Sequence, residues 1–115
     1  MKMNESKKNG SVVLTLSDEI TLQKDQEAIT GLVEKRIEEG ERSFVIDLSD
    51  VAYLSSLGLG TLVSAHTKLR RVNGRLALVN PAPGVSEILK VTQLSEIFNI
   101  FPTVDEATAH KGSAK

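Results

Sequence analysis

The chain has 115 residues, 40 % apolar and 25 % charged, a size and balance that suit one globular domain with a self-sufficient core. A formal net charge of −1 argues against a nucleic-acid binder, and 3 % aromatic residues with no Trp leave little for base stacking. The absence of Cys removes disulfides, thiol nucleophiles and thiolate metal sites, which suits a cytoplasmic protein.

The first ten residues are polar and read as a flexible N-terminus or a short edge strand. Met1–Lys8 has no apolar core, so it is not expected to act as a signal peptide. No segment approaches the roughly 18 apolar residues of a membrane span, and no direct membrane insertion is expected. Ser11–Ser17 alternates as a first clear strand. Leu22, Ile29, Leu32, Val33 and Ile37 then recur at helical spacing, with Thr21 as a starting cap and Gly40 as a left-handed stop. Gly31 costs that helix about 1 kcal/mol against Ala and suggests close helix packing.

Ser43–Leu48 reads as a central strand, its core a Val- and Ile-rich run covered on both faces. A short polar turn follows, and the Ser55-Ser56 pair opens a second helix. In that helix Leu59, Leu62, Val63, His66, Leu69 and Val72 form an inward stripe. Leu57, Thr61, Ser64 and Lys68 fall on the solvent-facing side, and Ser56 falls between the two. Asn73-Gly74 ends the helix, and Arg75–Asn80 is the next strand. Pro81-Ala-Pro83 breaks the chain before a helix at 84–91, and Ile97–Phe101 is a plausible last strand. Thr103-Val-Asp-Glu106 is a capping-box pattern that starts a short final helix, and 111–115 reads as a disordered tail. Strands alternating with helices imply an α/β sheet with parallel neighbours and right-handed crossovers.

The chemistry concentrates at the serine pair. A helix N-terminus carries unpaired N–H groups and partial positive charge, so it accommodates a phosphate. The plainer reading is that Ser55 or Ser56 is only an N-cap. Gly58-Leu-Gly60 lacks both glycine-rich phosphate-loop patterns, and small residues for close approach of a helix or partner explain it better. His66 and His110 belong to no paired ligand motif, so no metal is expected. Asp47 and Asp50 flank a strand end without a nucleophile–base pair, and Asp47 is expected to hold the turn through local hydrogen bonds. Lys68, Arg70 and Arg71 read as a solvated helix end. No cofactor and no catalysis are expected.

The segment Asp47-Leu-Ser-Asp-Val-Ala-Tyr-Leu-Ser-Ser-Leu-Gly-Leu-Gly60 resembles the signature of the STAS domain, the fold of bacterial anti-sigma factor antagonists. The resemblance extends over Gly74–Pro81 and Val85–Phe98, and so over a domain at 11–110. It implies a single α/β domain: a mixed, mostly parallel sheet of four to five strands, with helices packed mainly on one side. The family turn commonly reads Asp-Ser-Ser-Gly-Leu-Gly with the second Ser as phosphoacceptor. Aligned on Gly58-Leu-Gly60, Leu57 occupies that position and Ser55 the Asp position, which makes Ser56 the implied acceptor and Ser55 the alternate. The family's Gly-Glu-Leu/Ile-Asp after the first clear strand is replaced by Asp18-Glu-Ile-Thr21.

What the resemblance implies is a non-enzymatic anti-sigma factor antagonist in a phosphorylation-controlled partner switch that regulates transcription. Its partners would be an anti-sigma factor serine protein kinase and a PP2C-type phosphatase, docked on Leu57, Gly58, Thr61 and Ser64. The alternative is a soluble STAS accessory subunit of a membrane system for lipid or anion transport. A receiver-like phosphoacceptor domain ranks last, because Ser17-Asp18-Glu19 is a poor match to an acidic cluster.

Overall fold

The computed structural model describes residues 1–109. The sheet has five strands in the order β1-β2-β3-β4-β5: Lys2–Lys8, Ser11–Ile20, Ser43–Leu54, Arg75–Val79 and Asn99–Phe101. β1 is antiparallel to β2, and every other neighbour is parallel. The helices are α1 (Gln23–Glu38), α2 (Ser56–Arg71), α3 (Pro83–Val91) and α4 (Val104–Ala109), with one 3-10 turn at Leu94–Glu96. The tail at 111–115, like His110, lies outside the described residues.

Alternation along the central strands explains the layering. Val12, Leu14, Leu16, Phe44, Ile46, Leu48, Leu76 and Leu78 point to one face, where Ile29 and Val33 of α1, Leu62 and Leu69 of α2, and Val85 and Leu89 of α3 cover them. Val13, Val45, Ala77 and Val79 point to the other, where Ala107 of α4 covers them. Burial on both faces is why these strands read as continuous apolar runs. Three helices on one side and a short one on the other match the layering expected from the resemblance.

Lys2–Lys8, within the first ten residues, form β1 and pair with β2 from Lys2 opposite Ser17 to Lys8 opposite Ser11. Ion pairs fix this edge: Arg36 of α1 holds Glu5 at 2.8 Å, Lys7 meets Glu41, and Lys8 meets Asp105. The Arg36 guanidinium draws the Glu5 carboxyl below its ordinary pKa.

Three local expectations change. Thr21 does not cap α1: Leu22 is the N-cap residue, and the Asp25 carboxylate accepts from the Leu22 and Thr21 N–H groups at 3.2 and 3.4 Å. That carboxylate, inside the first turn and near the positive helix end, ties down the two residues before the helix, while the Asp25 N–H turns to the Leu22 carbonyl at 3.0 Å. Leu22 is 52 % exposed and leaves the apolar stripe. Gly31 permits no close packing, since a Cβ there would meet nothing within 4 Å. Gly40, with φ of +103°, is the left-handed stop that the sequence predicts.

His66 sits edge-on to Phe98, ring centroids 5.3 Å apart, with Nδ1 buried and unpartnered among the described residues. Burial, with positive Arg70 nearby, pushes the imidazole below its ordinary pKa. The unfolded chain, with a His pKa of about 6.5, therefore binds protons more readily than the folded one. The stability that neutral His66 permits is fully present above about pH 6.5 and declines as the pH falls below it. Urea midpoints are expected to hold from about pH 8 to 7 and drop towards about pH 5.5, with His66→Gln flattening the drop.

Candidate functional site

β2 and β3 run on together past the end of β4. Val79 closes the β4 ladder opposite Asp47, whereas β2 and β3 continue from Ser17 opposite Asp50 to Ile20 opposite Leu54. The stretch read as a polar turn after Leu48 is therefore strand, with register shifts between Thr15 and Ser17 and between Asp18 and Glu19. These irregularities let Leu48, Val51 and Leu54 all turn inward. Asp47 does hold the chain locally, its Oδ1 accepting from the Ser49 N–H at 3.0 Å and the Ser49 hydroxyl at 2.6 Å. The extended ladder carries Ser55 to one pole of the molecule, where α2 begins.

The two serines are in different states. Ser55 is the N-cap of α2 and is tied on all sides. Its Oγ accepts from the Gly58 N–H at 3.3 Å and donates to the Ile20 carbonyl at 3.3 Å, and its N–H reaches the same carbonyl at 3.3 Å. Ser56, the first residue of α2, is exposed, and its hydroxyl has no hydrogen bond among the described residues. The helical spacing places it at the border of the apolar stripe; the observed rotation of α2 turns it to solvent. No acidic residue stands in the first turn of α2 to compete for the positive helix end. Ser55→Ala is expected to lower stability by about 1 kcal/mol through loss of the cap, with Ser56→Ala close to neutral, both read from urea unfolding.

The buried stripe of α2 is Gly58, Thr61, Leu62, Ala65 and Leu69, so the helix is rotated from the expected face. Leu59, Val63, His66 and Val72 are half-buried at its margins. This corrects two of the expected contact residues. Thr61 is 0 % exposed, and its hydroxyl donates to the Leu57 carbonyl at 2.8 Å. Gly58 is also buried: a Cβ there would lie 2.6 Å from the Ile20 carbonyl oxygen and 3.2 Å from a Leu54 methyl. Gly58 thus lets α2 rest on the end of β2. Leu57 and Ser64 are half-buried and keep some surface, while Lys68 pairs with Glu34 of α1 at 2.9 Å.

Two residues absent from the sequence-based site share this pole. Tyr53, next to Leu54 on β3, is 48 % exposed, and Leu22, at the start of α1, is 52 % exposed. Leu22 also lines a shallow recess with Asp18, Glu19, Thr21 and Ala52. Nothing in the periodicity marks Leu22 as surface, because it fits the helical stripe. Tyr53 was hidden by the reading of its segment as a turn. Asp18, Glu19 and Asp50 are exposed on the same ladder and make this pole acidic.

The strand β3 thus delivers a serine pair to a helix start with one serine tied and one free, and residues 2–107 match the STAS domain family. The chain belongs to the STAS domain family. BtrV of Bordetella bronchiseptica, by name a candidate anti-sigma factor antagonist, is 28 % identical to it over 109 residues, covering 95 % of this chain and 93 % of BtrV. The structure of an anti-sigma factor antagonist from Mycobacterium paratuberculosis superposes with a TM-score of 0.82 at 26 % identity, over 96 % of this chain and 93 % of that one. SpoIIAA in its unphosphorylated form shares the fold, with a TM-score of 0.76 at 20 % identity over 99 % of this chain and 100 % of SpoIIAA. Among the described residues no helix is long and apolar enough to cross a membrane, and no cluster of His, Asp or Glu is arranged to hold a metal.

Proposed function

We propose that this STAS domain is a cytoplasmic anti-sigma factor antagonist that binds an anti-sigma factor serine kinase and is released from it by phosphorylation of Ser56. The observation that carries the reading is the contrast within the serine pair: Ser55 is consumed by capping, and Ser56 is exposed with a free hydroxyl. The kinase transfers the γ-phosphoryl group of ATP to the Ser56 oxygen, ADP leaves, and the hydroxyl proton passes to a base on the kinase. A PP2C-type phosphatase hydrolyses the phosphoserine with water and resets the domain. The names borne by BtrV and by the Mycobacterium protein support the antagonist class.

The docking surface in this reading is the exposed part of Leu57 and Ser64 together with Leu22 and Tyr53. Gly58 and Thr61 contribute by setting the height and rotation of α2. Phosphopeptide mapping of the protein from its own cells, beside Ser56→Ala and Ser55→Ala versions, is the test. Phosphate on Ser56, lost in the first variant and kept in the second, supports the switch. Phosphate on Ser55 alone, or none while the kinase is active, refutes it.

A further inference from the structure

From the end of α3 to β5 the chain has one deep apolar anchor. Of the described residues 92–101, Phe98 alone is buried, at 4 % exposure. It packs edge-on to His66 of α2, with the ring planes at 68°. Ile97 and Ile100 near it are exposed, and Glu96, the one charged side chain of the segment, has no ion-pair partner among the described residues.

Backbone bonds tie this segment to the rest only sparsely. The Ile97 and Phe98 N–H groups reach the Leu94 carbonyl, inside the segment itself, at 2.9 and 3.1 Å. β5 pairs with β4 from Asn99 to Phe101, and the Asn80 N–H closes that ladder on the Phe101 carbonyl at 2.8 Å. Gln93, whose φ of +64° is uncommon for a residue with a Cβ, marks one end of the segment, and Pro102 follows the other.

Phe98 therefore rests on a group that titrates. The buried Nδ1 of His66 has no hydrogen-bond partner among the described residues. A neutral ring can leave that nitrogen as a bare acceptor, whereas a protonated ring places an N–H there with nothing to receive it. The cleft that His66 lines collects Arg70 of α2, Glu41 and Arg42 from before β3, and Arg75 of β4. Glu41 is taken by Lys7, while Lys90, at the end of α3, and Glu96, on the 3-10 turn, are exposed. Burial opposes a proton on the ring first, and the charge of Arg70 second.

We infer that residues 93–101 are an acid-opened latch: protonation of His66 lets Phe98 go, and the 3-10 turn and β5 leave α2 and β4 while the other strands stay paired. In the open state the imidazole is hydrated and takes a proton near its ordinary pKa of about 6.5, which the closed state resists. The latch is thus shut above about pH 6.5, and its opening equilibrium rises by at most about tenfold for each pH unit below. Opening bares the outer edge of β4, a row of backbone groups able to pair with another strand.

Hydrogen exchange of the isotopically labelled full chain at about pH 7.5 and 5.5, corrected for intrinsic exchange rates, tests this. The Ile97, Phe98 and Asn80 amides report on the latch. They should be at least about tenfold less protected than the central-strand amides of Phe44–Ile46, which marks the opening as local. Their protection should fall roughly five- to tenfold between the two pH values in the parent and hold in His66→Gln. Arg70→Gln, at an exposed position, should shrink the fall, because the closed state then resists the proton less. Latch amides as protected as those of β3, or a fall that persists in His66→Gln, overturn the inference. Should His66→Gln not fold, an undiminished fall in Arg70→Gln overturns it equally.

Discussion

Phosphorylated at Ser56, the protein is expected to bind the proposed partner kinase at least about tenfold more weakly than the unmodified form. The effect is electrostatic and local. A phosphoserine adds a charge of about −1.5 to −2 at neutral pH. It adds it to a pole that already presents Asp18, Glu19 and Asp50. The first turn of α2 contributes positive potential and no acid, so the phosphate is tolerated where it stands and the domain does not unfold. A partner seated over Leu57 and Tyr53 would have to desolvate that dianion, which costs far more than covering a hydroxyl. Calorimetric titration of the kinase with unmodified, phosphorylated and Ser56→Ala protein measures the difference. Ser56→Ala should bind like the unmodified form. Equal affinity of the phosphorylated and unmodified forms would remove phosphorylation at this turn as the release step.

Element order was legible because the strongest local signals agree with the global packing. Phe44–Ile46 and Leu76–Val79 are apolar on both faces, as the central strands of a covered sheet must be, and Thr103 caps α4 by accepting from the Glu106 N–H at 3.1 Å. The rotation of α2 was not legible, for a physical reason. Its buried face at the N-terminal end is made of Gly58, Thr61 and Ala65, small residues that a hydrophobic pattern does not weight. They are inside because the helix lies close against the end of β2, and bulkier Leu59 and Val63 are pushed to the margins. Closeness of approach is a property of the assembled sheet and helix, and no periodicity carries it. The β2–β3 extension was hidden similarly: Ser49 and Asp50 look like a turn until the strand beside them is known. The chemistry of the serine pair was readable only as far as its two possible roles. Dividing capping from exposure between Ser55 and Ser56 required the Ile20 carbonyl.

That close approach yields the larger stability effect. Gly58→Val is expected to cost about 3 kcal/mol, whereas Gly60→Ala, two residues along the same helix, is expected to stabilise by about 0.5–1 kcal/mol. At Gly58 the first added carbon already lies 2.6 Å from the Ile20 carbonyl oxygen. This atom cannot yield as a flexible side chain would, because it accepts the Ser55 N–H and hydroxyl. Relief requires lifting the start of α2 off β2, which also strains the Ser55 cap. At Gly60 an added Cβ meets nothing within 4 Å and only restricts the unfolded chain. Urea unfolding of the two variants beside the parent separates packing from helix propensity, since propensity alone favours replacing either glycine. A Gly58→Val protein as stable as the parent would mean that α2 does not rest on Ile20. The exposure of Ser56, fixed by that seating, would then lose its structural basis.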